Sequence, residues 1–184
     1  MTLFFGLAKW LDGLDENAGR ERVRMLLGER ANPIMDAYRG ARPDDSPRDL
    51  FLAIATDQSM RIPSLVIADR KVAQHAAPVF VYLFTWETPV LGGRLKSPHA
   101  LEIPFVFDTL HTSALAGDSP TRFALATRMS KAWINFARTG NPNHEGIPNW
   151  PRYSLETRST MIFDDQCRIE NDPYRAERLI WTGQ

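Results

Sequence analysis

The run Pro78-Val-Phe-Val-Tyr-Leu-Phe84 restricts the fold more than any other stretch of this chain. After the proline every residue is apolar, β-branched or aromatic. A strand with one wet face alternates polar and apolar residues. An unbroken run belongs to a strand covered on both faces, as in a mostly parallel sheet between helical layers. The expected class is therefore α/β. Such a strand needs neighbours, yet the only other clear strand candidate, Thr160 to Phe163, is short. The expectation is a mostly helical chain holding a few strands of an incomplete sheet.

Helical signals surround that run. Residues Asn17 to Leu27 carry charged helix formers with Val23, Leu26 and Leu27 as apolar positions, and Gly28 follows as a stop. A second helix is expected from Pro33 to Gly40, with Arg42 to Ser46 as a polar loop, then a third begun by Ser46-Pro47 and running through Leu50, Phe51 and Ile54. Pro63 suits the first turn of another, from Ser64 to Gln74. The clearest helix spans Pro120 to Arg138: Leu125, Met129, Ala132, Trp133 and Phe136 share one stripe, Ser119 is placed to cap it, and Gly140 and Pro142 end it. That stripe reads as core packing, as do Trp86, Phe105 and Phe107 beside the strand.

With 184 residues, 43% of them hydrophobic, the chain suits a single domain over 1–184, and no linker divides it. Lysine plus arginine equal aspartate plus glutamate at 22 each, so no global field favours nucleic acid or an anionic membrane. Cys167 is the sole cysteine, which excludes an intramolecular disulfide and a thiolate metal cluster and fits a reducing, cytoplasmic setting. The opening MTLFFGLAKWLDGL has no basic leader and is interrupted by Lys9 and Asp12, so it reads as folded protein rather than a signal peptide. No stretch approaches the roughly 18 consecutive apolar residues of a membrane span.

Of the four histidines, His75, His99, His111 and His144, only His99 has a pointed setting: it follows Ser97-Pro98 and precedes the apolar run Ala100-Leu-Glu-Ile-Pro-Phe-Val-Phe107. No H-x-x-x-H or H-E-x-x-H accompanies it and no cysteine is near, which argues against a metal site. On spacing alone the ordinary fate of a lone histidine is a satisfied structural role. The alternative is a general base on a loop beyond a strand's carboxyl end, where open α/β sheets carry their chemistry. Imidazole, with an ordinary pKa of about 6.5, can take a proton from a hydroxyl and return it near neutral pH. That role requires a nucleophile and an orienting carboxylate. The 184 residues contain no G-x-S-x-G, and Ser59, Ser64, Ser113 and Ser130 lack its glycine setting.

Several segments together have a recognisable pattern. They are Thr56-Asp57 with Arg61-Ile62-Pro63, the strand Val79 to Phe84, the stretch His99 to Phe107, the stretch Trp133-Ile-Asn-Phe-Ala-Arg-Thr-Gly-Asn-Pro-Asn143, and Trp150-Pro-Arg-Tyr153. In order and spacing the chain resembles the carboxyl-terminal portion of the type-B carboxylesterases, the family of the cholinesterases and para-nitrobenzyl esterases. The resemblance implies the carboxyl-terminal part of an α/β-hydrolase fold and a serine-type hydrolase of small-molecule carboxylic esters that needs no metal or organic cofactor. It matches His99 to the family's catalytic histidine, with Glu102 bracing its loop, and it departs from the family in having Ala100 where glycine is usual. Met1 to Phe5 resembles the stretch just past the family's catalytic acid, so serine and acid are expected upstream, in an amino-terminal part that the chain needs as a partner. Asp12, Asp15 and Glu16 are poor substitutes for that acid. The rival reading is a non-catalytic, esterase-like binding or adhesion module.

Overall fold

Asp15 starts the first helix by accepting a hydrogen bond from the Ala18 N–H at 2.8 Å, and Gly28, at φ 61°, ends it: α1 is Glu16–Leu27. Helix α2 (Ala31–Ala41) begins two residues before Pro33, and Ser46 caps α3 (Pro47–Thr56) by accepting from the Asp49 N–H at 3.1 Å. The computed structural model describes residues 8–183, so the match at Met1 to Phe5 lies outside the described residues. Those residues form two compact units, 8–67 with 174–183 and 68–173, and the boundary falls inside α4 (Ile62–Ala73).

Helices α3 and α4 are joined without a break by a π-helical segment, Asp57–Arg61, whose wider turn is closed by the Ile62 N–H donating to the Asp57 carbonyl. The sequence reading placed two separate helices here. The continuous stretch Pro47–Ala73, 27 residues long, meets the length and composition of a membrane span. However, Leu50, Phe51, Leu52, Ile54 and Ala55 are buried in the core of the first unit with Ile34, Met35 and Tyr38. Its Asp57–Arg61 ion pair is also nearly buried, as expected of a core helix.

The last helix, α7 (Arg175–Thr182), belongs to this first unit and is held by a polar network. Trp181 Nε1–H donates to the Tyr38 hydroxyl at 2.7 Å, and that hydroxyl donates to Asp57. Asp57 also accepts both Arg61 Nε at 2.7 Å and Nη2 at 2.6 Å, while Arg42 Nε donates to buried Glu177 at 2.9 Å. The Tyr38 phenol is pushed far above its ordinary range by burial and then by the Asp57 charge. Burial opposes the Arg61 charge, but the Asp57 bonds outweigh it and its pKa rises.

In the second unit the Pro78 run forms β1 (Val81–Phe84), followed by the short helix α5 (Ile103–Val106), the long helix α6 (Thr121–Thr139), β2 (Ser159–Phe163) and β3 (Arg168–Asn171). The order in the sheet is β1-β2-β3. β1 runs parallel to β2, with Val81 opposite Thr160 and Phe84 opposite Phe163, and β2 runs antiparallel to β3. The second strand was expected from the sequence; β3 was not, because Arg168-Ile-Glu-Asn171 offers a single strong strand former. All five β2 residues are buried, whereas none of the four in β1 is. The both-faces burial expected of the Pro78 run is thus not reached: β1 has one neighbour among the described residues.

Helix α6 packs Leu125, Ala126, Met129 and Ala132 into the core of this unit and ends at Gly140, at φ 73°. Two details differ from expectation. Ser119 shares a hydrogen bond with the Thr121 hydroxyl instead of capping the helix, and Phe136 stands 47% exposed at the end of its stripe. Beyond α6, Asn143 explains the Asn-Pro-Asn segment. Its side chain donates to the Trp150 carbonyl at 2.9 Å and accepts the Trp150 N–H at 2.6 Å, which seats Trp150 in the core. Tyr153 donates to Asp69 at 2.8 Å and accepts from Arg158 at 2.7 Å, fixing the chain as it enters β2.

Candidate functional site

The chain leaves β1 through Thr85 and Trp86, both tied to the segment after β2. The Thr85 N–H donates to the Phe163 carbonyl at 2.9 Å, its hydroxyl to Asp164 at 2.7 Å, and Trp86 Nε1–H to Asp165 at 3.0 Å. Thr88, 1% exposed, closes the following loop. Its hydroxyl donates to the Leu115 carbonyl at 2.5 Å and accepts the Val90 N–H, and its own N–H donates to the Lys96 carbonyl at 2.9 Å. The loop then returns to the strand, where the Ser97 hydroxyl donates to the carbonyl of Phe84, the last residue of β1, at 3.2 Å.

His99 is the next residue but one. The Leu101 N–H donates to the Pro98 carbonyl at 3.1 Å and Ala100 has φ 70°, which makes Pro98 to Leu101 a type II turn with His99 at its first corner. Pro98 and Leu101 are buried, and Phe105 packs against Phe84 and Trp86 with ring centroids 5.1 and 5.0 Å apart. His99 itself is exposed. The imidazole therefore stands outward on a turn clamped to the carboxyl end of a strand on one side and to the core on the other. This is why the histidine sits between a proline and an apolar run: those neighbours are the anchors.

The backbone here is strained. Of the eight non-glycine residues with left-handed φ among the described residues, four lie in this segment: Leu91, Lys96, Ala100 and Asp108. Such strain persists only where surrounding contacts impose it, and it concentrates at functional sites. Ala100 occupies the corner of a type II turn that favours glycine, which accounts for the usual glycine of the resembling family. Ala100→Gly is expected to raise stability by about 0.5–1 kcal/mol, because the left-handed penalty for a Cβ exceeds the extra chain entropy of glycine. A urea midpoint that falls in this variant would contradict the turn assignment.

The Glu102 carbonyl accepts the Phe105 and Val106 N–H groups at 3.0 and 2.9 Å and so starts α5. Its carboxylate lies near Tyr82, whose phenol is pushed up by burial and then by that charge. Phe105 and Trp86 are core residues, as the sequence suggested, but Phe107 is 71% exposed. The other histidines do different things. His144 accepts the Gly146 N–H on Nδ1 at 3.0 Å and presents Nε2 to the Arg128 carbonyl at 2.9 Å, a structural pairing; His75 and His111 are exposed. The Ser59 hydroxyl donates to the Ala55 carbonyl at 2.6 Å, Asp15 caps α1, and Glu16 binds Arg39 at 2.6 Å. Among the described residues no group of three or more His, Cys, Asp or Glu is arranged to hold a metal ion.

One feature escaped the sequence reading. Phe80, Tyr82, Trp133, Phe136, Pro142 and Trp150 line a groove of about 150 Å³ between β1 and α6. The helical period of Trp133 and Phe136 says they face the sheet, but not that the sheet stops short of covering them.

The sequence profile of the Carboxylesterase family matches residues 19–181. A para-nitrobenzyl esterase of Bacillus subtilis is 43% identical over 160 residues, which is 85% of this chain and 31% of that protein. An acylcarnitine hydrolase of Rattus norvegicus is 35% identical over 86% of the chain and 28% of the relative. Among solved structures, a Geobacillus stearothermophilus carboxylesterase superposes with a TM-score of 0.82 at 35% identity, covering 98% of this chain and 38% of that one. A para-nitrobenzyl esterase structure gives 0.68 at 31% identity, covering 97% and 35%. The chain thus spans about a third of the length of the relatives it matches. Its three-stranded sheet and helices are part of the α/β-hydrolase fold those structures share. With residues 19–181, most of its length, matched by the family's profile, the chain belongs to the carboxylesterase family.

Proposed function

We propose that this chain is the histidine-bearing part of a single carboxylic ester hydrolase domain and that His99 is its proton shuttle. The observation that carries the reading is the placement of His99: an exposed imidazole on a turn tied by Ser97 to the carboxyl end of β1, in a chain of the carboxylesterase family. A general base needs this combination of rigid mounting and open access.

The chemistry is acyl transfer through a covalent intermediate. As a serine hydroxyl adds to the ester carbonyl, His99 accepts its proton and backbone amides hold the developing oxyanion. When the C–O bond to the alcohol breaks, His99 delivers that proton to the departing oxygen. In the second half it removes a proton from water as the water oxygen attacks the acyl carbon, then returns it to serine. The 184 residues contain no G-x-S-x-G, so the reacting serine and its orienting acid come from a complementary part of the fold, and the isolated chain is inactive as a triad enzyme. The substrate is a small carboxylic ester, and no metal takes part in the steps assigned to His99.

The test is an assay of para-nitrophenyl acetate hydrolysis by the 184-residue chain alone and after co-expression with the remainder of a family member. The expected result is a rate for the chain alone no higher than that of free imidazole at equal concentration, and enzyme-like turnover with a burst of nitrophenol once the complement is present. Enzyme-like, His99-dependent turnover by the chain alone would overturn the reading.

A further inference from the structure

Ser97 ties the His99 turn to the end of β1 through one hydrogen bond of 3.2 Å, and Leu101 and Phe105 root its far side in the core. One such bond fixes a point and leaves a rotation about it. The turn is free to swing unless the loop that leads into it, Thr88 to Lys96, is itself held. The tip of that loop does not hold it. Leu91, Gly92 and Gly93 have φ of 55°, 65° and 79° in succession, Leu91 is 58% exposed, and nothing lies within 4 Å of where a Cβ would stand at Gly92 or Gly93.

The loop is stiffened at its base. The Thr88 N–H donates to the carbonyl of Lys96, the residue before Ser97, at 2.9 Å. The buried Thr88 hydroxyl donates to the Leu115 carbonyl at 2.5 Å and accepts the Val90 N–H at 3.1 Å. Leu115 belongs to the single 3₁₀ turn Ala114–Ala116, whose Ala116 is buried in the core. Beside that bond the two segments touch. A Cβ on Gly117, which has φ 57°, would lie 2.7 Å from Pro89 Cγ, so only glycine lets the loop rest there. Removing the Thr88 hydroxyl would strip a buried carbonyl of its donor and a loop N–H of its acceptor, a loss borne by the loop and not by the sheet.

We propose that Thr88 is a positioning residue for His99, with Gly117 as the close-packed seat of its loop. The path of constraint runs from the buried turn through the Leu115 carbonyl to the Thr88 hydroxyl, from the Thr88 N–H to the Lys96 carbonyl, and along Ser97 and Pro98 to His99. Thr88, 1% exposed, has no surface to offer a substrate and acts through the imidazole. Proton transfer needs donor and acceptor within about 2.6–3.2 Å, and a misplacement of about 1 Å costs on the order of 10²-fold in rate. The proposal rests on the proton-shuttle reading of His99 and adds to it the residue that sets where the imidazole stands.

The test compares Thr88→Val, which keeps the shape and loses the hydroxyl, with Thr88→Ser, which keeps the hydroxyl, and with Gly117→Ala, which pushes the loop from the other side. In the 184-residue chain, hydrogen exchange follows the Leu101 amide, whose bond to the Pro98 carbonyl closes the His99 turn. It should exchange about tenfold faster in Thr88→Val and Gly117→Ala and at the parent rate in Thr88→Ser. Kinetics are read in a chimera in which this chain replaces the matching stretch of the Bacillus subtilis para-nitrobenzyl esterase. There kcat for para-nitrophenyl acetate should fall roughly 10–100-fold in Thr88→Val and Gly117→Ala, with KM and circular dichroism unchanged, while Thr88→Ser keeps the parent kcat. A loss that extends to KM, or that Thr88→Ser shares, marks a general structural role and overturns the proposal. A Leu101 amide as well protected in Thr88→Val as in the parent also overturns it, and this measurement decides the matter if the chimera does not fold. A chimera that keeps its rate in His99→Ala removes the proton-shuttle reading itself. One that is inactive in His99→Ala and unimpaired in Thr88→Val removes the positioning role alone.

Discussion

His99→Ala in the assembled esterase is expected to lower kcat for para-nitrophenyl acetate by about 10⁴-fold, near the top of the range for losing a general acid–base group. The size follows from the proposed role, in which every proton moved in acylation and deacylation passes through the imidazole, and members of such a unit are not additive. KM should change little, because the residue is exposed on its turn and does not form the groove or the core. Assembly with the complement should be unaffected for the same reason, which separates lost chemistry from lost structure. The turn is held by Ser97, Pro98, Leu101 and Phe105, so removing the imidazole leaves its mounting intact. A loss of tenfold or less would assign the proton transfers to another group and return His99 to the role of an ordinary surface histidine.

Asp57→Ala is the substitution with the largest expected cost to stability, about 3–5 kcal/mol. The carboxylate accepts two bonds from Arg61 and one from Tyr38, whose hydroxyl in turn accepts the Trp181 indole. Truncating it removes both carboxylate bonds from the Arg61 guanidinium, whose side chain is 12% exposed, and takes away the acceptor of the Tyr38 hydroxyl. Removing one partner of a buried pair costs more than the pair itself contributes, because the remaining charge stays desolvated. With a urea m-value of roughly 2 kcal/mol/M, the midpoint should fall by about 2 M. Asp57→Asn should cost less, since the amide oxygen still accepts one Arg61 bond. The two variants together test the charge separately from the space. A midpoint unchanged by Asp57→Ala would mean that the network contributes nothing to holding α7.

Much of the fold was legible in the chain because its signals are local. A serine before a proline, prolines near helix starts and terminal glycines act within about one helical turn of the boundary they mark, so α1, α2, α3, α4 and α6 were placed to within a few residues. The π-helical segment was not legible. Its extra residue per turn is recorded in no propensity and is held instead by the Asp57–Arg61 pair and by Tyr38, 19 positions away. Strand β3 was hidden for a related reason. A short edge strand with Arg168 and Glu170 has no pattern of its own and exists because Met161 and Ile162 offer it a register.

For the site, the family was within reach of the sequence, and so was the residue proposed here as its proton shuttle. A histidine between Ser-Pro and an apolar run is distinctive, and the profile and relatives agree with the family. The chain could not reveal that Ser97 ties the turn to the Phe84 carbonyl, that Ala100 is strained at φ 70°, or that Phe107 faces outward while Phe105 is buried. These depend on where a strand ends relative to a loop that follows it by a dozen residues. Likewise the Pro78 run carried a demand for cover on both faces, written in apolar side chains with no charge among them. Whether that demand is met depends on how many strands lie alongside, and hydrogen bonds between strands join residues whose separation in sequence is unconstrained: Val81 pairs with Thr160. Local chemistry therefore determined which segments become helix or strand and singled out His99 among the four histidines. Only long-range packing decided which edge of the sheet stays open and how the imidazole is held.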